Sequence, residues 1–133
     1  MTANSKFVID TFAWIEYFKG SQKGGKAGEI IKTGNCITPV IVLAELSNIY
    51  SREKNSSWEK ELAFIVARTT IVDITADIAI RAGKLKTEMR KNHRSKFGLI
   101  DAVILATALN ASALVLTGDR HFKGLDNVEF IGD

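Results

Sequence analysis

The strongest constraint on this chain is a pair of short, uninterrupted apolar runs, Phe7-Val8-Ile9 and Ala113-Leu-Val-Leu116, each closing on a threonine and an acid. Such runs, apolar at every position, are what a strand buried on both faces requires. The first ends in Asp10-Thr11 and passes at once into the bulky helical stretch Phe12 to Phe18. The second ends in Thr117-Gly118-Asp119. In open α/β sheets the carboxyl ends of parallel strands form the ligand-binding edge, so acids there carry a functional reading. Asp10 also reads as a simple helix N-cap, a role Asp and Thr both fill well.

The rest of the chain alternates in the same manner. Lys19 to Lys26 reads as a flexible basic loop, followed by a modest helix over 27–33 that stops at Gly34. Cys36-Ile37-Thr38 predicts a second strand, and Thr38-Pro39 a helix start with a hydroxyl cap and a proline at the first helical position. That helix carries Glu45 on the flank of its apolar stripe, with Arg52 available as an ion-pair partner. Ser56-Ser57-Trp58-Glu59 fits a capping box ahead of the helix Trp58 to Ala67. Thr70 to Ile74 predicts a third strand, Thr75 the cap of a long helix, and Leu99 to Ala111 another helix with Asp101 in its first turn. Asn127 to Ile131 alternates as a final edge strand. Strand and helix in alternation imply an α/β fold, a parallel sheet with helices on both faces.

Length and composition narrow the function. The 133 residues suit one domain, 1–133, with 46% hydrophobic residues and no run long enough to span a bilayer. With no signal-peptide pattern and a single cysteine, Cys36, the expected location is cytoplasmic and multi-cysteine zinc frameworks are excluded. Cys36 itself reads as a small core residue. The net charge of +3 is uneven: from Arg81 to Lys96 seven Lys or Arg face one Glu, a local +6 that leaves −3 elsewhere. Such a block is either a solvated helix face or the footprint of a phosphate-backbone binder, with Arg90, Lys91, Arg94 and Lys96 the candidate RNA contacts. His93 and His121 stand alone in sequence without ligand spacing and read as surface or RNA-contact residues. Gly20 to Lys26 matches G-x-x-x-x-G-K, but Ala27 stands where a phosphate loop needs Ser or Thr and the loop follows a helix, so that reading fails. An aspartyl-phosphate enzyme of the dehalogenase type fails likewise, since Phe12 stands where a second Asp is needed.

If the helix starts gather at one sheet edge, Asp10, Glu45, Asp101 and Asp119 converge there. Four carboxylates together repel unless divalent cations neutralise them or their pKa values rise. Oxygen ligands suit Mg²⁺ or Mn²⁺, and a basic face nearby suits a polyanion, which together support metal-assisted phosphodiester hydrolysis.

Phe7-Val-Ile-Asp10-Thr11, Glu45 within Thr-Pro-Val-Ile-Val-Leu-Ala-Glu-Leu, Asp101 within Leu-Ile-Asp-Ala-Val-Ile-Leu-Ala-Thr-Ala, and Asp119 within Leu-Thr-Gly-Asp-Arg-His-Phe resemble the PIN-domain ribonucleases. Within these the chain is most similar to the VapC-type toxins of toxin–antitoxin pairs, from Lys6 to Ile131. The resemblance implies a flavodoxin-like three-layer α/β/α sandwich with a mostly parallel sheet of four to five strands. It implies a Mg²⁺- or Mn²⁺-dependent endoribonuclease acting on RNA, and a homodimer inhibited by a small antitoxin. Asp10, Glu45, Asp101 and Asp119 would be the catalytic metal ligands, with Thr11 and Thr117 as supporting hydroxyls. The helix Trp58 to Ala67 and the Tyr50 end of its predecessor would offer a surface to the antitoxin or second subunit. The competing readings are a PIN-type nuclease of housekeeping RNA processing and a non-catalytic α/β binding module.

Overall fold

In a computed structural model, which describes residues 5–133, five strands form one all-parallel sheet. The chain runs β1 (Phe7–Ile9), α1 (Thr11–Lys19), α2 (Gln22–Ile31), β2 (Cys36–Pro39), α3 (Val40–Arg52), α4 (Trp58–Arg68) and β3 (Thr70–Val72). It continues through α5 (Ala76–Lys91), α6 (Leu99–Asn110), β4 (Leu114–Thr117), a 3₁₀ turn (Arg120–Phe122) and β5 (Val128–Phe130). The strand order is β3-β2-β1-β4-β5. The chain therefore walks outward from β1 to β3, then returns across the sheet to β4. Right-handed crossovers in opposite directions place α1 to α4 on one face and α5 and α6 on the other, the three-layer sandwich. The reversal falls between β1 and β4, whose register pairs Phe7 with Leu114 and Ile9 with Leu116.

The apolar runs that frame the sequence are the centre of the core. Phe7, Val8, Ile9, Val115 and Leu116 are all essentially inaccessible to solvent. Each stabilises the fold by about 1.5–3 kcal/mol relative to an exposed side chain. Helix α6 is apolar around most of its circumference because the sheet lies on one side and α5 on the other; residues Ala102 through Ala108 are buried. Cys36 is a buried core thiol, as expected. Among the described residues no helix is long and apolar enough to cross a membrane.

Three local expectations are corrected. The segment read as a flexible basic loop is helical from Gln22, because Ser21 caps it by accepting from the Gly24 N–H at 3.0 Å. Gly24 is there for contact rather than for a turn: a Cβ at that position would lie 1.9 Å from the Glu16 carbonyl oxygen. Thr38 does not cap α3 but remains in β2, where its hydroxyl accepts from Trp14 Nε1 at 3.3 Å and pairs with Thr69 Oγ1 at 2.8 Å. A buried indole N–H needs a partner, and Thr38 supplies it. The capping box at α4 does not form, since Ser57 at the cap has a helical conformation with no side-chain bond to the helix. Thr75 does cap α5, accepting from the Ile78 N–H.

The two adjacent glycines of α2 give a direct test. Gly24→Ala forces α1 and α2 apart and should cost about 1–3 kcal/mol in urea unfolding. Gly25→Ala, with nothing within 4 Å of the added Cβ, should be neutral or stabilising by about 0.4–1 kcal/mol. Equal stability of the two variants would contradict this packing.

Candidate active site

The sheet's carboxyl edge at the β1–β4 reversal collects the acids. Asp10 leaves β1 as the N-cap residue of α1, yet its side chain makes no capping bond to the next turn. Instead Asp10 Oδ2 accepts from Thr117 Oγ1 at the end of β4, 2.7 Å away. Thr117 Oγ1 in turn accepts from the Asp119 N–H at 3.0 Å, so one hydroxyl ties both strand ends together. On the other side, Thr11 Oγ1 at the start of α1 donates to Glu45 Oε1 at 2.6 Å. Glu45 is brought there because β2 ends beside β1 and α3 starts immediately at Val40. Arg52 forms no ion pair with Glu45 among the described residues.

Asp101 arrives from the opposite layer. Helix α6 returns to the amino end of β4, so its first turn lies at the carboxyl edge of the sheet. Asp101 Oδ2 accepts from the Gly98 N–H at 2.9 Å, which is the expected dipole-compensating contact at a helix start. The same oxygen lies 2.8 Å from His121 Nδ1. Asp119 caps the 3₁₀ turn by accepting from the His121 N–H, and its Oδ1 is 3.7 Å from His121 Nδ1. One ligand atom from each of Asp101, Asp119 and His121 lies within 4.8 Å of the others.

The electrostatics follow from this crowding. Asp10 is 4% exposed, and burial pushes its carboxyl up to about 7 despite the opposing hydrogen bonds from Thr117 and the Thr11 backbone. The charges of Glu45 and Asp119 add to the rise. Glu45 is likewise raised by burial, against the Thr11 hydrogen bond, and further by Asp101 and Asp119. Desolvation and like charge both disfavour the ionised forms.

All six acids and hydroxyls singled out in sequence therefore share one locus. The basic candidates divide. Arg94 and Lys96 line a groove that reaches His121, and Arg94 also donates to the His121 and Lys123 carbonyls at 3.2 and 2.9 Å. Arg90 is occupied by the Phe97 carbonyl at 3.0 Å, and Lys91 lies on the outer face of α5 beside Lys84 and Glu88. Three site neighbours escaped the sequence reading. Lys23 and Arg120 line a second groove with Asp119 and Phe12. His121, expected at the surface or on RNA, stands between Asp101 and Asp119; the Asp-x-His spacing of Asp119 and His121 was the available signal.

A family model described as the PIN domain matches residues 7–128. No curated protein matches in sequence. Among solved structures, the chain is similar to a toxin–antitoxin complex from Klebsiella pneumoniae, with TM-score 0.76 and 22% identity over 96% of this chain and 99% of that one. It is similar to VapBC2 from Rickettsia felis bound to a promoter DNA fragment, with TM-score 0.74 and 24% identity over 93% and 96%. It is also similar to the Mycobacterium tuberculosis sarcin–ricin loop cleaving toxin VapC20, with TM-score 0.74 and 19% identity over 93% and 98%.

The raised Asp10 makes a pH prediction. Its carboxyl titrates near 3.8 in the unfolded chain and at about 7 in the fold. Its stabilising contribution is complete below the lower value and is lost as pH rises through the upper one. Asp10→Asn should raise the unfolding temperature at about pH 8 in EDTA and leave it nearly unchanged at about pH 3. An equal shift at both pH values would contradict the burial argument.

Proposed function

The chain belongs to the PIN domain family, and from that premise we propose that it is a divalent-cation-dependent endoribonuclease, the toxin of a toxin–antitoxin pair. The observation that carries the reading is the convergence of Asp10, Glu45, Asp101 and Asp119, from four separate elements, at the sheet reversal. Among the described residues, His121 is the only Lys, Arg or His side chain with a nitrogen within 4.0 Å of any of these carboxylates. Such a donor set, rich in carboxylate and without a lysine or arginine counter-charge, fits Mg²⁺ or Mn²⁺. Asp10, Asp101 and Asp119 would hold the ion, with Glu45 beside them. When bound, the ion supplies the positive charge that polarises a phosphate and acidifies a water.

The chain's own groups account for the rest of the chemistry. Thr117 and Thr11 fix the orientations of Asp10 and Glu45, so their lone pairs need no reorganisation during reaction. Thr11 occupies Glu45 Oε1, leaving Oε2 to accept a proton from the attacking water. The water oxygen bonds to phosphorus as one ester P–O bond breaks, and the departing oxygen leaves with that bond's electron pair and takes a proton from solvent. Lys23, Arg94, Lys96 and Arg120 line the grooves on either side and would take the flanking phosphates.

The structural neighbours that are toxin–antitoxin complexes support a small antitoxin as partner, and homodimer assembly in the cytoplasm goes with that reading. The hollow between the ends of α1 and α3 and the start of α4, lined by Ile15, Phe18, Ile49, Tyr50 and Glu61, is a candidate seat for an antitoxin segment. There Tyr50 packs against Trp58, 5.3 Å between ring centroids, and donates to Glu61.

Asp101→Asn should keep the fold and lose RNA cleavage by roughly 100-fold or more, and EDTA should silence the wild type. Undiminished cleavage by the folded variant would remove Asp101 from the machinery. Arg120→Ala and Lys96→Ala should each weaken RNA binding and flatten its logarithmic salt dependence by about 0.7. An unchanged slope would exclude that residue from phosphate contact.

A further inference from the structure

We propose that His121 is a direct nitrogen ligand of the cation and biases the site toward Mn²⁺ over Mg²⁺, an inference that rests on the metal-dependent reading above. Two ligands about 2.1 Å from one ion stand roughly 3 Å apart when adjacent and about 4 Å apart when opposite. His121 Nδ1 lies 2.8 Å from Asp101 Oδ2 and 3.7 Å from Asp119 Oδ1, and one ligand atom from each of the three lies within 4.8 Å of the others, close enough for a small adjustment of side chains to place them around one ion.

The imidazole is delivered there by a turn anchored on three sides. Its backbone N–H is held by Asp119 Oδ1 and its carbonyl by Arg94 Nη1. The next residue, Phe122, is fully buried and packs edge-to-face on Phe97 with 5.7 Å between centroids. These backbone and neighbour contacts fix where the imidazole leaves the turn. The side chain is 37% exposed, and it borders both grooves. An ion between the three donors is thus within reach of solvent and of a phosphate arriving along either groove.

The consequence for ion choice is chemical. Mg²⁺ demands oxygen ligands and retains its waters, whereas imidazole nitrogen suits the first-row transition ions. An all-carboxylate site has no such bias. Replacing an oxygen by Nδ1 adds one.

The test titrates Mn²⁺ and Mg²⁺ separately into the full chain, as wild type, His121→Gln and His121→Asp, with electron paramagnetic resonance of the Mn²⁺ complexes. Thermal unfolding of each variant reports that it is folded. Wild type should bind Mn²⁺ more tightly than Mg²⁺ and show nitrogen modulation of the Mn²⁺ signal. His121→Gln should abolish the modulation and weaken Mn²⁺ on the order of tenfold, with Mg²⁺ changed far less. His121→Asp, which restores an oxygen, should move the preference toward Mg²⁺. Mn²⁺ binding without nitrogen modulation, or equal loss of both ions in His121→Gln, would overturn the ligand role and leave His121 a hydrogen-bond partner of Asp101. Failure of the folded wild type to bind either ion would overturn both this inference and the metal-dependent reading on which it rests.

Discussion

One hydroxyl bonded to one carboxylate organises the open end of this sheet. Thr117 and Asp10 are 107 residues apart in sequence, and their 2.7 Å bond joins the ends of β4 and β1 at the point where the strand order reverses. Around it the other acids fall into place through connection lengths alone: α3 begins as β2 ends, and α6 must start at this edge to reach the beginning of β4. A neutral residue at position 10 could complete the same sheet. The buried carboxyl is instead tolerated at a cost that rises as it ionises, and that cost is stored where a cation would relieve it.

The scaffold beneath is unremarkable in the useful sense that its parts agree. Apolar strands stack between helices whose contact faces are apolar, and Trp14, Thr38 and Thr69 satisfy one another's polar atoms inside the core. The aromatic group of Trp14, Tyr17, Phe18 and Phe64 then ties α1 to α4 on the same face. That agreement makes the single disagreement, a cluster of carboxylates at one edge, physically informative.

The sheet and the acids were legible in sequence because both signals are local. Val8 and Leu116 sit in runs that only a doubly buried strand explains; Asp10 directly follows the first run and Asp119 lies three residues beyond the second. What was illegible depends on contacts between distant segments. Gly24 and Gly25 look like loop punctuation until α1 is known to pass within reach of Gly24. Thr38 before a proline looks like a cap until Trp14 and Thr69 are known to face it. Arg94, a candidate RNA contact in sequence, spends two donors on the carbonyls of His121 and Lys123. His121 is two residues from Asp119 but 20 from Asp101, and no periodicity connects the latter pair. The central strands explain themselves; the edges of the site require the fold.

The central claim is that this carboxylate cluster is a cation site. The most direct measurement is a crystal soaked in Mn²⁺ and recorded for anomalous scattering. An anomalous peak is expected within ligand distance of Asp101 and Asp119, beside Asp10. Well-ordered acids with no peak there, or a peak only elsewhere on the surface, would contradict it.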